Sequence, residues 1–354
     1  MQIGPLPLDG PVLLAPMAGV TNRPFRVMAR RHGCALTATE MLSADFLVRQ
    51  TPAQRALHRV VPEERPMALQ VMGADPGVMA EAARICEDLG ADLVDVNMGC
   101  PVKKVVSRGA GAALLNDPDR AARVVEAMAG AVRIPVTAKL RAGWQDDRLS
   151  APEVAARLER AGAAALAVHG RTREQQYRGT VNTDLIARVK QAVSIPVAAN
   201  GDVLQPGDAR ALLEATGADA VMIGRGAIGN LWLFRAAAAA IAGRPVPERP
   251  TAGERLAEFR EHLDRLLADE GEWLAIRRMR KYAPYYATGV AGARAFRAAV
   301  VREETAAGVI GLAERLFRGE QDGVRAADAL GVTREEVLAV AAEERRERGD
   351  VPDF

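Results

Sequence analysis

Short apolar segments alternate with amphipathic segments along the first two-thirds of the chain. The apolar segments are rich in Val, Ala, Leu and Ile, and they cover residues 12–16, 36–40, 68–71, 93–97, 136–140, 166–169, 197–200 and 220–224. The segments between them have the spacing of amphipathic helices, most clearly over residues 76–89, 118–129 and 151–161. Apolar strands that alternate with helices indicate a parallel sheet buried on both faces. Eight such units predict an α/β fold, a closed (β/α)8 TIM barrel.

The strand pattern stops after Arg235, and only helical periodicity follows. We therefore predict a barrel over residues 1–243 and a proline-containing linker over 244–251. A small all-helical C-terminal domain is predicted over 252–318. The remainder, 319–354, is predicted to be a charged helical tail, because Thr333 and Glu336 have capping-box spacing before an apolar stretch.

The composition is that of an ordinary globular protein, with 49% hydrophobic and 26% charged residues. The net charge of +2 gives no global sign of a nucleic-acid partner. The sequence has no signal-peptide pattern and no apolar run of membrane-spanning length, so we expect a cytoplasmic protein, and a monomer. Its three cysteines lack the spacing of a metal site, and no metal is expected.

Polar residues follow the predicted strands at their carboxyl ends, which in a (β/α)8 barrel meet at one mouth. These residues are Pro16, Met17 and Ala18, then Gln70, Asn97 with Cys100, Lys139 with Arg141, His169, Asn200-Gly201-Asp202 and Gly224-Arg225. Gln70 can both donate to and accept from an imide-like edge. Lys139 and His169 would place donors or positive charge against a reduced flavin. The glycine turns after the seventh and eighth strands occupy the usual phosphate-binding place of this fold.

Each of these residues also has an ordinary structural explanation. A lone histidine is more often a satisfied structural residue, and Asn-Gly-Asp is most often a turn. A cysteine is most often a small apolar residue of the core, and we expect this role for Cys34 and Cys86. Cys100 instead stands between Gly99 and Pro101 beside a basic loop, which favours a functional thiol. The convergence of the whole set on one mouth favours a catalytic site.

The motifs resemble the tRNA-dihydrouridine synthase family, in particular its bacterial B-type branch. The resemblance covers the whole barrel in order, through Ala15–Arg26, Gln70–Gly73, Asp95–Pro101, Lys139–Trp144, His169–Arg173, Asn200–Asp202 and Met222–Ala227. Its most specific element is Asn-x-Gly-Cys-Pro followed by Lys-x-Arg and His-Gly-Arg-Thr.

The resemblance implies that the chain reduces a specific uridine of tRNA to dihydrouridine. It implies FMN as the cofactor, bound by residues 16–18, Gln70, Lys139, His169, 200–202 and 224–225, with NADPH as the hydride donor. Hydride would pass from the flavin to C6 of the uracil, and Cys100 would donate the proton to C5. Asn97 and Arg141 would contact the uracil.

Contacts to tRNA are expected from a basic stretch of the helical domain. We predict that Arg278, Arg280 and Lys281 bind RNA, because tyrosines are interleaved with the cations there. Relatives often carry Arg-Lys-His at positions 280–282, whereas this chain has Tyr282.

Two other functions stay open at this point. A flavin barrel that acts on a free pyrimidine, as dihydroorotate dehydrogenases do, would share the FMN site but would not need a basic helical domain. An RNA-binding protein without catalytic activity would not need the set formed by Cys100, Lys139 and His169.

Overall fold

The structure, a computed structural model, describes residues 1–322, with side chains up to residue 319. Two compact units divide the described chain. The first comprises Met1–Ala227 and Leu233–Val246, and the second comprises Ile228–Trp232 and the chain from Pro247 onward. The predicted tail lies, from residue 323, outside the described residues. The boundaries predicted for the barrel, the linker and the helical domain stay predictions.

The first unit carries eleven strands and ten α-helices in its described residues. Its strands are β1 (Gln2–Ile3), β2 (Leu6–Pro7), β3 (Val12–Leu14), β4 (Thr37–Ala38), β5 (Leu42–Ser43), β6 (Met67–Met72), β7 (Leu93–Met98), β8 (Val136–Arg141), β9 (Ala165–His169), β10 (Val197–Asn200) and β11 (Ala220–Ile223). Its helices are α1 (Arg23–Arg31), α2 (Ala44–Arg49), α3 (Pro52–Ala56), α4 (Pro76–Asp88), α5 (Lys103–Val106), α6 (Pro118–Ala129), α7 (Ala151–Arg160), α8 (Thr183–Ala192), α9 (Pro206–Thr216) and α10 (Leu233–Ile241).

Eight parallel strands form the predicted (β/α)8 barrel, in the order β3-β11-β10-β9-β8-β7-β6-β4. The barrel closes between its first two strands, where Leu13 forms a parallel bridge to Leu36 and the Leu14 amide donates to the Leu36 carbonyl at 2.9 Å. The antiparallel hairpin β1–β2 was not predicted. Its Ile3 packs with Leu93 and Ala165, which begin strands β7 and β9, so the hairpin covers the amino-terminal end of the barrel.

Local sequence signals account for the barrel helices. Prolines occupy the first turn of α4, α6 and α9, where a missing N–H costs nothing. Asp75 and Asp117 accept hydrogen bonds from the first turns of α4 and α6. Gly217 ends α9 in the left-handed conformation, with φ of 63°. The observed α4, α6 and α7 agree with the predicted helices to within one residue at each end.

The second unit is helical in its described residues: α11 (Ala252–Glu270), α12 (Glu272–Tyr286), α13 (Ala293–Val300) and α14 (Ala306–Asp322). A capping box between Thr251 and Glu254 begins α11. The unit packs around aromatic rings, with Phe259 edge-on to Tyr286 at 5.4 Å between ring centroids. Across residues 1–322, none of the helices combines the length and the apolar character that a membrane span requires.

Candidate active site

Strand register brings the predicted side chains together at the carboxyl ends of the strands. Gln70 lies beside Asp95 between β6 and β7. One layer closer to the mouth, Asn97 lies beside Lys139. In the last layer, Arg141, His169 and Asn200 are consecutive partners across β8, β9 and β10. Because partners in register point to the same face of a parallel sheet, these layers form one polar surface.

A buried hydrogen-bonded group lies deepest in this surface. The Gln70 amide nitrogen donates to Asp95 Oδ2 at 2.7 Å, and the Thr137 hydroxyl donates to Asp95 Oδ1 at 2.7 Å. Asn97 Nδ2 donates to Gln70 Oε1 at 2.8 Å. Burial raises the pKa of Asp95, while its hydrogen bonds and Lys139 oppose that shift. Gln70 keeps one N–H and one lone pair for a ligand.

Lys139 is held at the centre of the mouth by Asn200. Its ammonium donates to Asn200 Oδ1 at 2.9 Å, and Asn200 Nδ2 donates to the Met222 carbonyl at 2.7 Å. Burial lowers the pKa of Lys139 to about 8, helped by the charge of Arg141. Burial and the neighbouring cations, first of all Lys139, hold the pKa of His169 well below its usual range. His169 is therefore a neutral imidazole at pH 7.

The Cys100 loop is fixed by hydrogen bonds from several directions. Asn97 Oδ1 accepts from the amides of Gly99 at 3.2 Å and Cys100 at 2.9 Å. Arg141 Nε donates to the Gly99 carbonyl at 2.7 Å, and the Ala112 amide donates to the Cys100 carbonyl at 3.1 Å. Gly111 is required here, because a Cβ at its φ of +60° would lie 2.8 Å from the Cys100 carbonyl oxygen.

Cys100 is the half-buried cysteine, whereas Cys34 and Cys86 are buried as predicted. Burial raises the pKa of the Cys100 thiol, although Arg141 opposes the shift. The thiol is therefore protonated at neutral pH. A protonated, fixed thiol at the mouth is able to act as a proton donor.

Arg141 lies beneath this loop with its guanidinium only partly used. Its Nη1 donates to the carbonyls of Thr172 at 2.9 Å and Gln176 at 2.7 Å. Within residues 1–322, Nη2 makes no hydrogen bond, so two donors are left for a substrate oxygen. The ring of Tyr177, 41% exposed, packs between Arg225 at 4.7 Å and Arg141 at 5.6 Å from its centroid.

Positive charge also concentrates at the predicted phosphate-binding turns. Arg171 binds both carboxylate oxygens of Asp202, at 2.9 and 2.5 Å, and Arg225 lies 3.7 Å from the same carboxylate. Asp202 adopts a φ of +51° after Gly201, where a Cβ would lie 2.4 Å from Val181 Cγ2. Two arginines against one carboxylate leave a net positive charge for a phosphate. Arg171 was not predicted as a site residue, although it belongs to the His-Gly-Arg-Thr motif.

The first strand contributes Pro16, Met17 and Ala18, all half-buried. Met17 Sδ lies 3.7 Å from the position that a Cβ on Gly224 would take, so the ends of β3 and β11 adjoin. Among residues 1–322, no cluster of three His, Cys, Asp or Glu side chains is arranged to hold a metal ion.

The predicted RNA-binding arginines of the helical unit have internal partners. Arg278 Nε donates to Glu270 at 3.0 Å, and Arg280 Nη2 donates to the Glu303 carbonyl at 2.6 Å. Of the interleaved tyrosines, Tyr282 and Tyr286 do not face solvent as RNA stacking would require, because both rings are fully buried. Tyr282 packs against His262 at 4.5 Å.

An aromatic-basic stripe runs along α12 and contains Lys281, which was predicted to bind RNA, together with Trp273, which was not. It consists of Trp273, Arg277, Lys281 and Tyr285, four residues apart and so on neighbouring turns of one helix face. Trp273, Arg277 and Tyr285 are exposed, and Lys281 is half-buried. Trp273 is 69% exposed, and the Arg277 guanidinium lies 4.2 Å from its ring centroid. The signal available in the sequence was this four-residue spacing.

Comparisons with known proteins agree with the motifs. The family model described as dihydrouridine synthase matches residues 13–317. A probable tRNA-dihydrouridine synthase of Rhodobacter capsulatus is 42% identical over 90% of this chain and 98% of its own length. The tRNA-dihydrouridine synthase B of Pseudomonas aeruginosa is 44% identical over 84% of this chain and 90% of its own. Morphinone reductase shares the fold, with a TM-score of 0.52 at 18% identity over 71% of this chain and 90% of that one.

Proposed function

The chain belongs to the dihydrouridine synthase family, and on that basis we propose that it reduces a uridine of tRNA to dihydrouridine with FMN and NADPH. The observation that carries this proposal is the position of Cys100, whose loop is fixed at the barrel mouth by Asn97 and Arg141. We propose tRNA as the substrate class because the relatives are named tRNA-dihydrouridine synthases.

The residues at the mouth fit a flavin by the chemistry of their donors. Gln70 has one amide N–H and one lone pair left for the pyrimidine-like edge of the ring. Lys139 would place its ammonium against the reduced ring. Arg225 and Arg171 leave net positive charge beside Asp202, which suits one phosphate. The site offers no dinucleotide-binding turn, which favours FMN over FAD.

When bound, the flavin supplies the hydride that adds to C6 of the uracil. The protein must then protonate C5, and we assign that step to the Cys100 thiol. Nη2 of Arg141 would donate to a uracil oxygen. Asn97 Oδ1 already accepts from two backbone amides, so its contribution to the substrate would come from Nδ2, whose second N–H makes only a long contact of 3.9 Å to Met41 Sδ.

The role of Cys100 is tested by separating the two halves of the reaction. Cys100→Ala should bind FMN and accept hydride from NADPH at the rate of the unmodified protein. Reoxidation of the reduced flavin by tRNA should slow at least about 10²-fold, the usual contribution of a placed general acid. Cys100→Ser should be nearly as slow, because a hydroxyl is a weaker acid. Normal reoxidation by tRNA in Cys100→Ala, measured by stopped-flow absorbance, would assign the proton to another group.

The identity of the cofactor is tested on the protein as purified. We expect a yellow protein that releases FMN on denaturation, identified by chromatography against FMN and FAD standards. Arg225→Ala should weaken FMN binding more than riboflavin binding, because only FMN carries the phosphate. Release of FAD, or equal losses of affinity for FMN and riboflavin, would contradict this assignment.

A further inference from the structure

We propose that Asp95, in the deepest polar layer of the site, positions Cys100 through a continuous chain of hydrogen bonds that passes through Gln70 and Asn97. The catalytic consequence rests on the proposed function, in which Cys100 donates a proton. The hydrogen-bonded chain itself does not depend on it. Asp95 is a positioning residue in this proposal, since its contacts are with Gln70 and Thr137.

The chain of hydrogen bonds has a defined direction because backbone amides at one end of it can only donate. These are the amides of Gly99 and Cys100, which donate to Asn97 Oδ1. At the other end, the Asp95 carboxyl oxygens accept from Gln70 and Thr137 at 2.7 Å each.

Both amide side chains between these ends are forced into one orientation. Asn97 must turn its oxygen to the backbone amides and its nitrogen to Gln70, 2.8 Å away. Gln70 must then turn its oxygen to Asn97 and its nitrogen to Asp95. Relative exposures of 8% for Asp95, 1% for Gln70 and 9% for Asn97 leave little water to replace a lost partner.

The position of Cys100 depends on these amide orientations. Asn97 holds the loop by the Cys100 amide at 2.9 Å, while Ala112 holds it by the Cys100 carbonyl at 3.1 Å. The first of these anchors depends on which way the Asn97 amide is turned, and therefore on Gln70 and Asp95. If the Asn97 amide were turned the other way, the Cys100 loop would lose this anchor and the thiol would shift from its position.

A double-mutant cycle tests the coupling between positions 95 and 97. Asn97→Asp keeps an acceptor for the Cys100 amide but sets carboxylates on both sides of Gln70, which can donate toward only one of them. Adding Asp95→Asn should restore a continuous chain of paired donors and acceptors. Gln70 can then flip, donate to the new carboxylate at position 97 and accept a hydrogen bond from the new amide at position 95. Asp95→Asn alone keeps an acceptor for Gln70 and gains a donor for the Thr137 hydroxyl, so it should change the alkylation rate less than Asn97→Asp does.

The direct readout is alkylation of Cys100 by iodoacetamide in the native protein, where Cys34 and Cys86 are fully buried. Asn97→Asp should change the alkylation rate about tenfold, the equilibrium effect of losing one buried hydrogen bond. The double variant should return to within about threefold of the unmodified rate, as expected for directly coupled residues. Reoxidation of the flavin by tRNA should slow by about 10- to 100-fold in Asn97→Asp.

Thr137→Val is the matched control, because it removes the other hydrogen bond to Asp95 and leaves the path to Cys100 intact. It should lower the melting temperature without changing the alkylation rate. Additive effects of the two single substitutions, with no rescue in the double variant, would overturn the proposal. Full activity of Cys100→Ala would instead refute the catalytic role of Cys100. The alkylation rates would still test whether positions 95 and 97 are coupled to Cys100.

Discussion

At the scale of single residues, the most unusual group of the site is Lys139, a half-buried ammonium at the barrel mouth. Its pKa of about 8 lies below the ordinary value of 10.5 because burial disfavours the charged form. The unfolded chain therefore binds more protons than the folded protein between these two values. Stability must then rise with pH across that window. The cost of the buried charge is fully present below pH 8 and is lost as the pH approaches 10.5.

Lys139→Met removes this titration and gives the prediction at this scale. Without cofactor, the difference in unfolding free energy between the unmodified protein and the variant should shift in favour of the unmodified protein as the pH rises from 8 to about 10. Urea denaturation at several pH values measures this difference, which subtracts the other titrating groups. A difference that is constant with pH would show that Lys139 is not desolvated in the folded state.

The positions of the site residues could be predicted from the sequence, but their hydrogen-bond partners could not. Strand ends follow from local patterns, so Gln70, Lys139 and His169 were predicted at the mouth, and strand register places all three on the same face of the sheet. The partners of a side chain depend on residues far away in the sequence. Arg280 could not be matched with the Glu303 carbonyl from its helical position alone.

At the scale of elements, the barrel strands were predictable because each is apolar and flanked by helix caps. The hairpin β1–β2 and the short β5 were missed, since two-residue strands carry no periodicity. The equally short β4 was predicted only as part of the longer segment 36–40. Helix α12 shows a second limit of prediction from sequence. Its basic stretch was recognised, but only the packing of the helix shows which of its cations face solvent.

The aromatic-basic stripe of α12 leads to a prediction with an internal control. Trp273→Ala and Arg277→Ala should weaken tRNA binding without lowering the melting temperature, because both side chains are exposed. Loss of one stacked base is worth about 1–3 kcal/mol, or roughly 5- to 150-fold in affinity. Loss of one phosphate contact should reduce the salt slope by about 0.9. Trp273→Phe should retain most of the affinity, because a phenyl ring can still stack.

Arg280→Ala is the matched control within the same helix. It breaks the hydrogen bonds to the Glu303 carbonyl, so its main effect should be a lower melting temperature. Filter binding at several salt concentrations, together with thermal denaturation, separates the two outcomes. Unchanged tRNA affinity in both Trp273→Ala and Arg277→Ala would mean that the stripe serves another contact.

At the scale of the whole molecule, a net charge of +2 cannot attract RNA through a strong overall field. Affinity for tRNA must then come from local contacts, many of them remote from the uracil that reacts. Binding energy from such remote contacts can orient a substrate and raise the rate of the chemical step. A free pyrimidine enters the same mouth without those contacts.

The choice of substrate is therefore the prediction that separates the proposed function from that of a barrel acting on free pyrimidines. Reduced enzyme under anaerobic conditions should be reoxidised rapidly by unmodified tRNA, and at least about 10³-fold more slowly by uridine or orotate at equal concentration, because the free compounds lack the orientation that remote binding supplies. Flavin absorbance follows the reoxidation, and mass spectrometry of the digested tRNA identifies dihydrouridine. Orotate reoxidising the flavin as fast as tRNA would assign the chain to the free-pyrimidine class. The contacts around Lys139 and Cys100 would then serve a small ligand, and the α12 stripe would need another partner.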